Sequence, residues 1–435
     1  MAVRLDRKTT EWLARQRWFS AKTRRIAEAI VEDRIPVEGA AVCVVRVVLD
    51  DGAFDRYVVA LDASGADAFD DAGFCRALLR LMAEGGEARG DRGTLRGQRS
   101  RAFPSALGTG AAVRRVLGEQ SNTSVIFDRA VIVKHFRRIT EGENPELEIT
   151  RFLTEHTSFA NTPRLAGALE YVDARGATAA LAVAQELVDG GRDGWQWLLE
   201  RLAAGDSVLE ALRRLGQRTG ELHRALATPT PDPAFGAEPI DRGDIATWTA
   251  AVDRQVAAAR AAVAGRRLPD VPRAAEAALS GLLGAAKIRH HGDFHLGQTL
   301  CLGDGADFML IDFEGEPLRP LEERRRKHTP LRDVAGMLRS FAYAAATSAH
   351  SGHAVDGWES HARAAFVEGY RSAAGGAAFV PASDAAFARA VAALELEKAA
   401  YEIVYEANNR PDWVDIPVGG FVNATTSLAR LAGAA

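Results

Sequence analysis

The sequence predicts an α+β protein built in two parts, and three observations carry that prediction. Apolar residues alternate at period two through much of residues 40–188. They recur at helical spacing through most of the remainder. One short β-like pair, HGDFHLGQTL with FMLIDFEG, interrupts the helical half. A β-rich half followed by a helical half that holds one hairpin suggests a two-lobed enzyme with a cleft between its halves.

Taken in order, EWLARQRWF (11–19) reads as a helix with Trp12, Trp18 and Phe19 on its core face. AAVCVVRVVLDDGAFDRYVVAL (40–61) alternates as two strands turned at Asp50-Asp51-Gly52. Phe74 to Met82 has helical spacing, and the Gly/Arg/Ser-rich run 84–101 reads as turns with short strands and as a first domain boundary. SVIFDRAVIVKHF (124–136) gives two more strands, turned at Asp128-Arg129. Asn144-Pro145 offers an N-cap and a pre-set first helical residue for ELEITRFLTEH, and the strand ATAALAVAQELV (177–188) runs into a Gly-Gly turn. From Asp193 onward, helices are predicted around 195–226, 244–264, 271–286, 331–346, 356–374 and 384–409.

Composition excludes several classes. A chain of 435 residues exceeds what one core usually holds, so two or three domains are expected. A net charge of only -4 gives no global attraction to nucleic acid or to anionic lipid. Cys43, Cys75 and Cys301 are scattered and odd in number, which fits buried hydrophobes in a reducing, cytoplasmic compartment. The charged N-terminus lacks an apolar signal segment, and no run of about 18 apolar residues exists to span a membrane.

The chemistry concentrates in HGDFHLGQ (291–298) and IDFEGE (311–316). With a turn at Gly303-Asp304-Gly305, the arms 298–302 and 308–312 bring Gln298 and Asp312 to the same end of a hairpin. An amide and a carboxylate suit Mg²⁺, which takes few protein ligands and completes its shell with phosphate and water oxygens. Asp293, on the incoming loop, is placed to orient an attacking hydroxyl and accept its proton. A loop aspartate alone more often caps a turn; the constellation carries the reading. His290, His291 and His295 with GDFH also suggest a metallophosphoesterase, but that class needs an Asn-His element, and no Asn-His pair occurs in the chain. The run Glu322 to Lys327 reads as a solvated charged face, Thr329-Pro330 as a helix start, and Asp333 as a brace for the catalytic loop.

HGDFHLGQ followed by IDFEGEP resembles the His-Gly-Asp-x-His-x-x-Asn/Gln signature of the aminoglycoside-phosphotransferase and choline-kinase superfamily, whose bilobal fold is shared with protein kinases. EQSNTSVIF (119–127), the run 311–343 and KAAYEIVYEANNRPDW (398–413) resemble the maltokinase family more narrowly, and that likeness extends from QRWF at 16–19 to RPDW at 410–413. Gln298 stands where much of the superfamily has Asn, as is common in maltokinase-like sequences.

The resemblance implies a protein-kinase-like fold with an N-terminal cap subdomain (1–100), a β-rich nucleotide lobe (101–190) and a mainly helical C-lobe (191–435). It implies that Lys134 contacts the α- and β-phosphates of ATP with Glu148 as its ion-pair partner, and that Ser121, Asn122 and Thr123 form the phosphate-facing turn. Backbone at Gln185, Glu186 and Leu187 would meet adenine, Asp293 would be the base, and Gln298 and Asp312 would hold Mg²⁺.

On the sugar side, Lys398, Tyr401 and Tyr405 share one helical face, with Glu402 and Glu406 beside them and Trp413 as a second aromatic wall. His291 is expected to orient the loop and His295 to touch substrate or Asp293. The function so implied is phosphorylation of maltose to maltose 1-phosphate for α-glucan synthesis, with a trehalose synthase as separate partner. Another sugar such as glucosamine, which Glu402 and Glu406 could meet through its amino group, and an inert kinase-like binding module are the alternatives.

Overall fold

Ala40–Leu49 and Phe54–Asp62 form the antiparallel pair that their alternation predicts. In the computed structural model, which describes residues 3–433 apart from 20, 23, 106, 108, 109, 118–121, 272, 273, 318, 354 and 355, this pair lies inside a five-stranded sheet. Ser121 falls outside the described residues. The chain divides into two compact units, Met1–Asp189 and Gly190–Ala435.

In the first unit the five-stranded sheet runs Val3–Arg4, Ile26–Val37, Ala40–Leu49, Phe54–Asp62, Arg138–Ile139. A seven-stranded antiparallel sheet runs Glu87–Arg89, Thr94–Arg99, Leu165–Val172, Thr178–Glu186, Val131–Phe136, Asn122–Phe127, Val113–Arg115. The expected boundary at 84–101 is therefore part of that sheet. Its glycines mark close packing rather than a linker: a Cβ on Gly97 would stand 1.9 Å from the Leu81 carbonyl, so helix Ala72–Glu84 lies directly on the strand.

The first helix, Arg7–Arg15, ends before Trp18 and Phe19, which pack against Tyr57 from the segment that follows instead of from a helix face. Arg137, fully buried, ties this region to the second sheet. Its guanidinium lies 5.0 Å over Trp18 and 4.3 Å over Phe69, and it donates to Asp67 at 3.0 Å and to the Thr123 hydroxyl at 2.8 Å. Burial lowers its pKa to about 10, with Asp67 opposing.

The second unit is helical apart from two small sheets. The segment 195–226 is two helices, Gly194–Ala204 and Leu209–Leu226, because Gly205 takes a left-handed conformation (φ 75°) that ends the first. Helices Arg242–Ala262, Leu331–His350, Trp358–Ala374 and Asp384–Asn409 follow the predicted periodicity. A further helix, Asp415–Gly433, closes the unit and buries Phe421 and Leu428. Thr299–Leu302 pairs with Asp307–Leu310 as the expected hairpin, with Arg192–Asp193 as a third strand. No described helix is long and apolar enough to cross a membrane.

Candidate active site

The loop that carries Asp293 is held from behind by Asp333, in the first turn of helix Leu331–His350. The Asp333 carboxylate accepts from the backbone amides of His291 (2.7 Å) and Gly292 (2.9 Å) and from His223 Nε2 (3.0 Å). Burial alone pushes this carboxyl up; the His223 hydrogen bond and neighbouring histidines outweigh it and keep the group ionised, below the usual carboxylate range. The helix can approach because residue 336 is glycine, where a Cβ would meet the Phe294 carbonyl at 2.6 Å.

His291 Nε2 lies 2.9 Å from the Ile311 carbonyl, which can only accept, so that nitrogen carries the proton and joins the loop to the hairpin. Backbone register brings Gln298 and Asp312 to the same end of the hairpin: the Ile311 amide donates to the Gln298 carbonyl at 3.0 Å, one step beyond the Thr299–Leu310 pair. Asp312 has φ 70°, a left-handed conformation that aspartate tolerates better than most residues. Among the described residues no group of three His, Cys, Asp or Glu could cage a metal. An amide and a carboxylate at one hairpin end fit a cation whose remaining ligands are phosphate and water oxygens.

Lys398 is placed differently from a free sugar donor. Its ammonium contacts Asp293 Oδ1 at 2.9 Å and Glu316 Oε1 at 2.7 Å, and it lies 5.0 Å from the Tyr401 ring centroid. Burial would lower its pKa, but Asp293 and Glu316 raise it well above the ordinary lysine value. Glu316, only 1 % exposed, also meets Arg319 and, at 3.2 Å, Arg332; these cations overcome burial and hold its carboxyl low.

A cavity of about 520 Å³ opens beside Asp293, and His295, Lys398, Tyr401, Glu402, Tyr405 and Trp413 all line it. Sequence reasoning missed Asp193, Trp195, Tyr343 and Arg410 in the same lining, and Arg339 behind it. Nothing in the sequence pairs them, since the contacts cross between helices: Arg339 donates twice to Glu402 Oε2, at 3.0 and 2.9 Å, and Tyr343 meets Glu406 at 3.2 Å. Arg410 also grips Glu406, and its guanidinium lies 5.9 Å from the Tyr405 ring and 5.0 Å from that of Trp413, so one face of each aromatic is already covered. Burial raises Glu402's pKa despite Arg339. Four carboxylates line the cavity (Asp193, Asp293, Glu402 and Glu406) against two cations, Lys398 and Arg410.

His295 Nδ1 accepts from the Gly297 amide at 3.1 Å, which starts the short turn leading to Gln298. The expected solvated run 322–327 is largely engaged within the protein: Arg324 donates to the Glu314 carbonyl, and Lys327 meets the Phe235 carbonyl and Glu238.

In the first unit, Lys134 lies on strand Val131–Phe136 and Glu148, buried, on helix Pro145–His156. Asn122 and Thr123 open strand Asn122–Phe127. Gln185 and Glu186 end strand Thr178–Glu186, and Gln185 donates to Glu146 at 2.9 Å. The amides of Glu186 and Leu187 are bound to Arg164 and Ala130 carbonyls, so their N–H groups are already engaged within the unit.

Residues 12–85 match the maltokinase N-terminal cap domain. The glucosamine kinase of Streptacidiphilus jiangxiensis is 31% identical over 341 residues, 73% of this chain and 75% of that protein. The glucosamine kinase of Mycolicibacterium smegmatis (strain ATCC 700084 / mc(2)155) is 28% identical over 327 residues, 71% and 78% of the two chains. A solved glucosamine kinase in complex with glucosamine, ADP and inorganic phosphate shares the fold with a TM-score of 0.68 at 23% identity, covering 95% of this chain and 98% of that one. By sequence over most of its length, and with a maltokinase-type cap at its N-terminal end, the chain belongs to the glucosamine kinase family of sugar kinases.

Proposed function

We propose that the protein transfers the γ-phosphoryl group of ATP to a hydroxyl of an amino sugar, glucosamine first among the acceptors. The observation that carries the acceptor is Glu402: a half-buried carboxylate in an acid-rich cavity, whose Oε2 takes both Arg339 hydrogen bonds while Oε1 has no partner among the described residues. A ligand ammonium would supply the hydrogen-bond donor that this oxygen lacks. The curated relatives named glucosamine kinases support the same reading.

In this reading Asp293 orients the acceptor hydroxyl and takes its proton as the new O–P bond forms and the bond to the ADP leaving oxygen breaks. Lys134 serves the phosphates, with Glu148 as its partner, and Asn122 and Thr123 belong to the phosphate-facing turn. Gln298 and Asp312 would hold Mg²⁺, which when bound offsets phosphate charge.

A second reading is maltose as acceptor, with a trehalose synthase as partner. The cavity volume of about 520 Å³ and the aromatic side chains of Trp195, Tyr401, Tyr405 and Trp413 favour it, since pockets of about 300–1,000 Å³ take ligands larger than one hexose. An inert binding module is disfavoured by the intact set Lys134, Asp293, Gln298 and Asp312. ADP release measured with glucosamine, maltose, glucose and aminoglycosides decides among these: turnover highest with glucosamine is expected, and turnover with maltose alone would overturn the amino-sugar reading.

A further inference from the structure

Glu316 closes the IDFEGE segment, and the kinase reading gives it no task. Its carboxylate is nonetheless among the most completely enclosed charges in the second unit, with 1 % of the side chain exposed. Burying a charge is unfavourable unless it is paired, and Glu316 is paired three ways: Oε1 with Lys398 at 2.7 Å, Oε2 with Arg332 at 3.2 Å and with Arg319. Arg319 and Arg332 are in turn held by Glu397, at 3.0 and 3.5 Å, the neighbour of Lys398 on helix Asp384–Asn409. The arrangement is a closed ring of charges that fixes one ammonium.

That ammonium is the one on Asp293. Lys398 meets Oδ1 at 2.9 Å, and Oδ2 has no partner among the described residues. A carboxylate that must orient a hydroxyl and then accept its proton needs one oxygen anchored and the other open. Lys398 left with Asp293 as its only hydrogen-bonded carboxylate could slide to bridge both oxygens; the pull of Glu316 from the other side prevents this.

We propose that Glu316 is a positioning residue for phosphoryl transfer, holding the Lys398 ammonium on Oδ1 of Asp293 so that Oδ2 stays open to the acceptor hydroxyl. The inference rests on the kinase reading for its consequence but not for its geometry, and the test separates the two. In a crystal structure of the Glu316→Gln variant, Lys398 Nζ is expected to move within hydrogen-bond distance of Asp293 Oδ2; an ammonium still confined to Oδ1 overturns the proposal whatever the enzyme's acceptor proves to be. In steady-state assays with the best acceptor of the native protein, Glu316→Gln is expected to lower kcat about 10- to 100-fold with the KM for ATP changed less than about twofold. The same substitution in a Lys398→Met background is expected to add no further loss, because Glu316 acts through Lys398. Multiplicative losses in the double variant, or an unchanged kcat in the single one, overturn the proposal. Lys398→Arg, which retains a cation between the two acids, should recover part of the rate lost in Lys398→Met, whereas equal rates for the two would show that the cation has no positioning role.

Discussion

Asp333 Oδ2 and His223 Nε2 lie 3.0 Å apart although 110 residues separate them in the chain. The contact joins helix Leu209–Leu226 to helix Leu331–His350, and the same carboxylate holds the two amides that precede Asp293. The Asp293 loop is therefore held from behind by packed helices.

Asp333→Asn replaces an acceptor pair by one acceptor and one donor, so one buried N–H loses its partner at a cost of about 1–3 kcal/mol. The depressed carboxyl of Asp333 contributes stability above the ordinary value of 3.8 and loses it as pH falls through its lower folded value. Chemical denaturation is expected to show a less stable variant at pH 7 and a gap that narrows below about pH 4.

Three buried histidines set a second pH dependence. Burial lowers His135 to about 3 and His290 to about 4, and holds His328 well below 6.5. The unfolded chain takes up protons from 6.5 downward while the folded one does not, so stability falls on acidification between pH 7 and 5, by about 2 kcal/mol each for His135 and His290 and in the same direction for His328. His328→Phe keeps an aromatic ring on Trp248, where the imidazole stacks at 4.0 Å, and is expected to flatten the slope of unfolding free energy against pH.

Asp293→Asn removes the proposed proton acceptor while preserving shape. A fall in kcat of about 10²- to 10⁴-fold is expected, with native circular dichroism and little change in ATP affinity by calorimetry.

Glu402→Gln tests the amino-sugar reading. The KM for glucosamine is expected to rise about tenfold or more, as when a charge-assisted hydrogen bond is lost, with that for glucose nearly unchanged. Because burial raises the Glu402 pKa, the native KM for glucosamine should rise with falling pH before an ordinary carboxylate would protonate. Parallel changes for both sugars would remove Glu402 from amine recognition.

On the proposed function, Lys134→Met is expected to raise the KM for ATP at least about tenfold while leaving the sugar KM in place; equal changes in both would remove Lys134 from nucleotide binding.

Much of this was legible in the sequence. The hairpin was readable because the Gly303-Asp304-Gly305 turn fixes its register, and with it the placing of residues 298 and 312 at one end. Asp333 could be placed as a brace because Pro330 marks the helix start. Strand Ile26–Val37 was not read, since its charged residues and Pro36 mask the alternation, and helix Asp415–Gly433 was hidden by Gly419 and Gly420. Pairs such as Arg339 with Glu402 and Lys398 with Glu316 depend on which helices touch, and periodicity records only which side of each helix is apolar. Trp18 and Phe19 were recognised as core but assigned to the wrong local structure, because helix Arg7–Arg15 stops short of them.

The strand Arg138–Ile139 completes the five-stranded sheet from beyond the Lys134 strand, and Arg137 beside it is enclosed by Trp18, Phe69 and Asp67. A shortened gene beginning near residue 100 would thus strip Arg137 of its carboxylate and its aromatic cover and leave Arg138–Ile139 without the strand it pairs with. Removing residues 1–100 amounts to cutting into the unit they share with Thr123 and Arg137, and swapping them between relatives requires carrying residues 137–139 along.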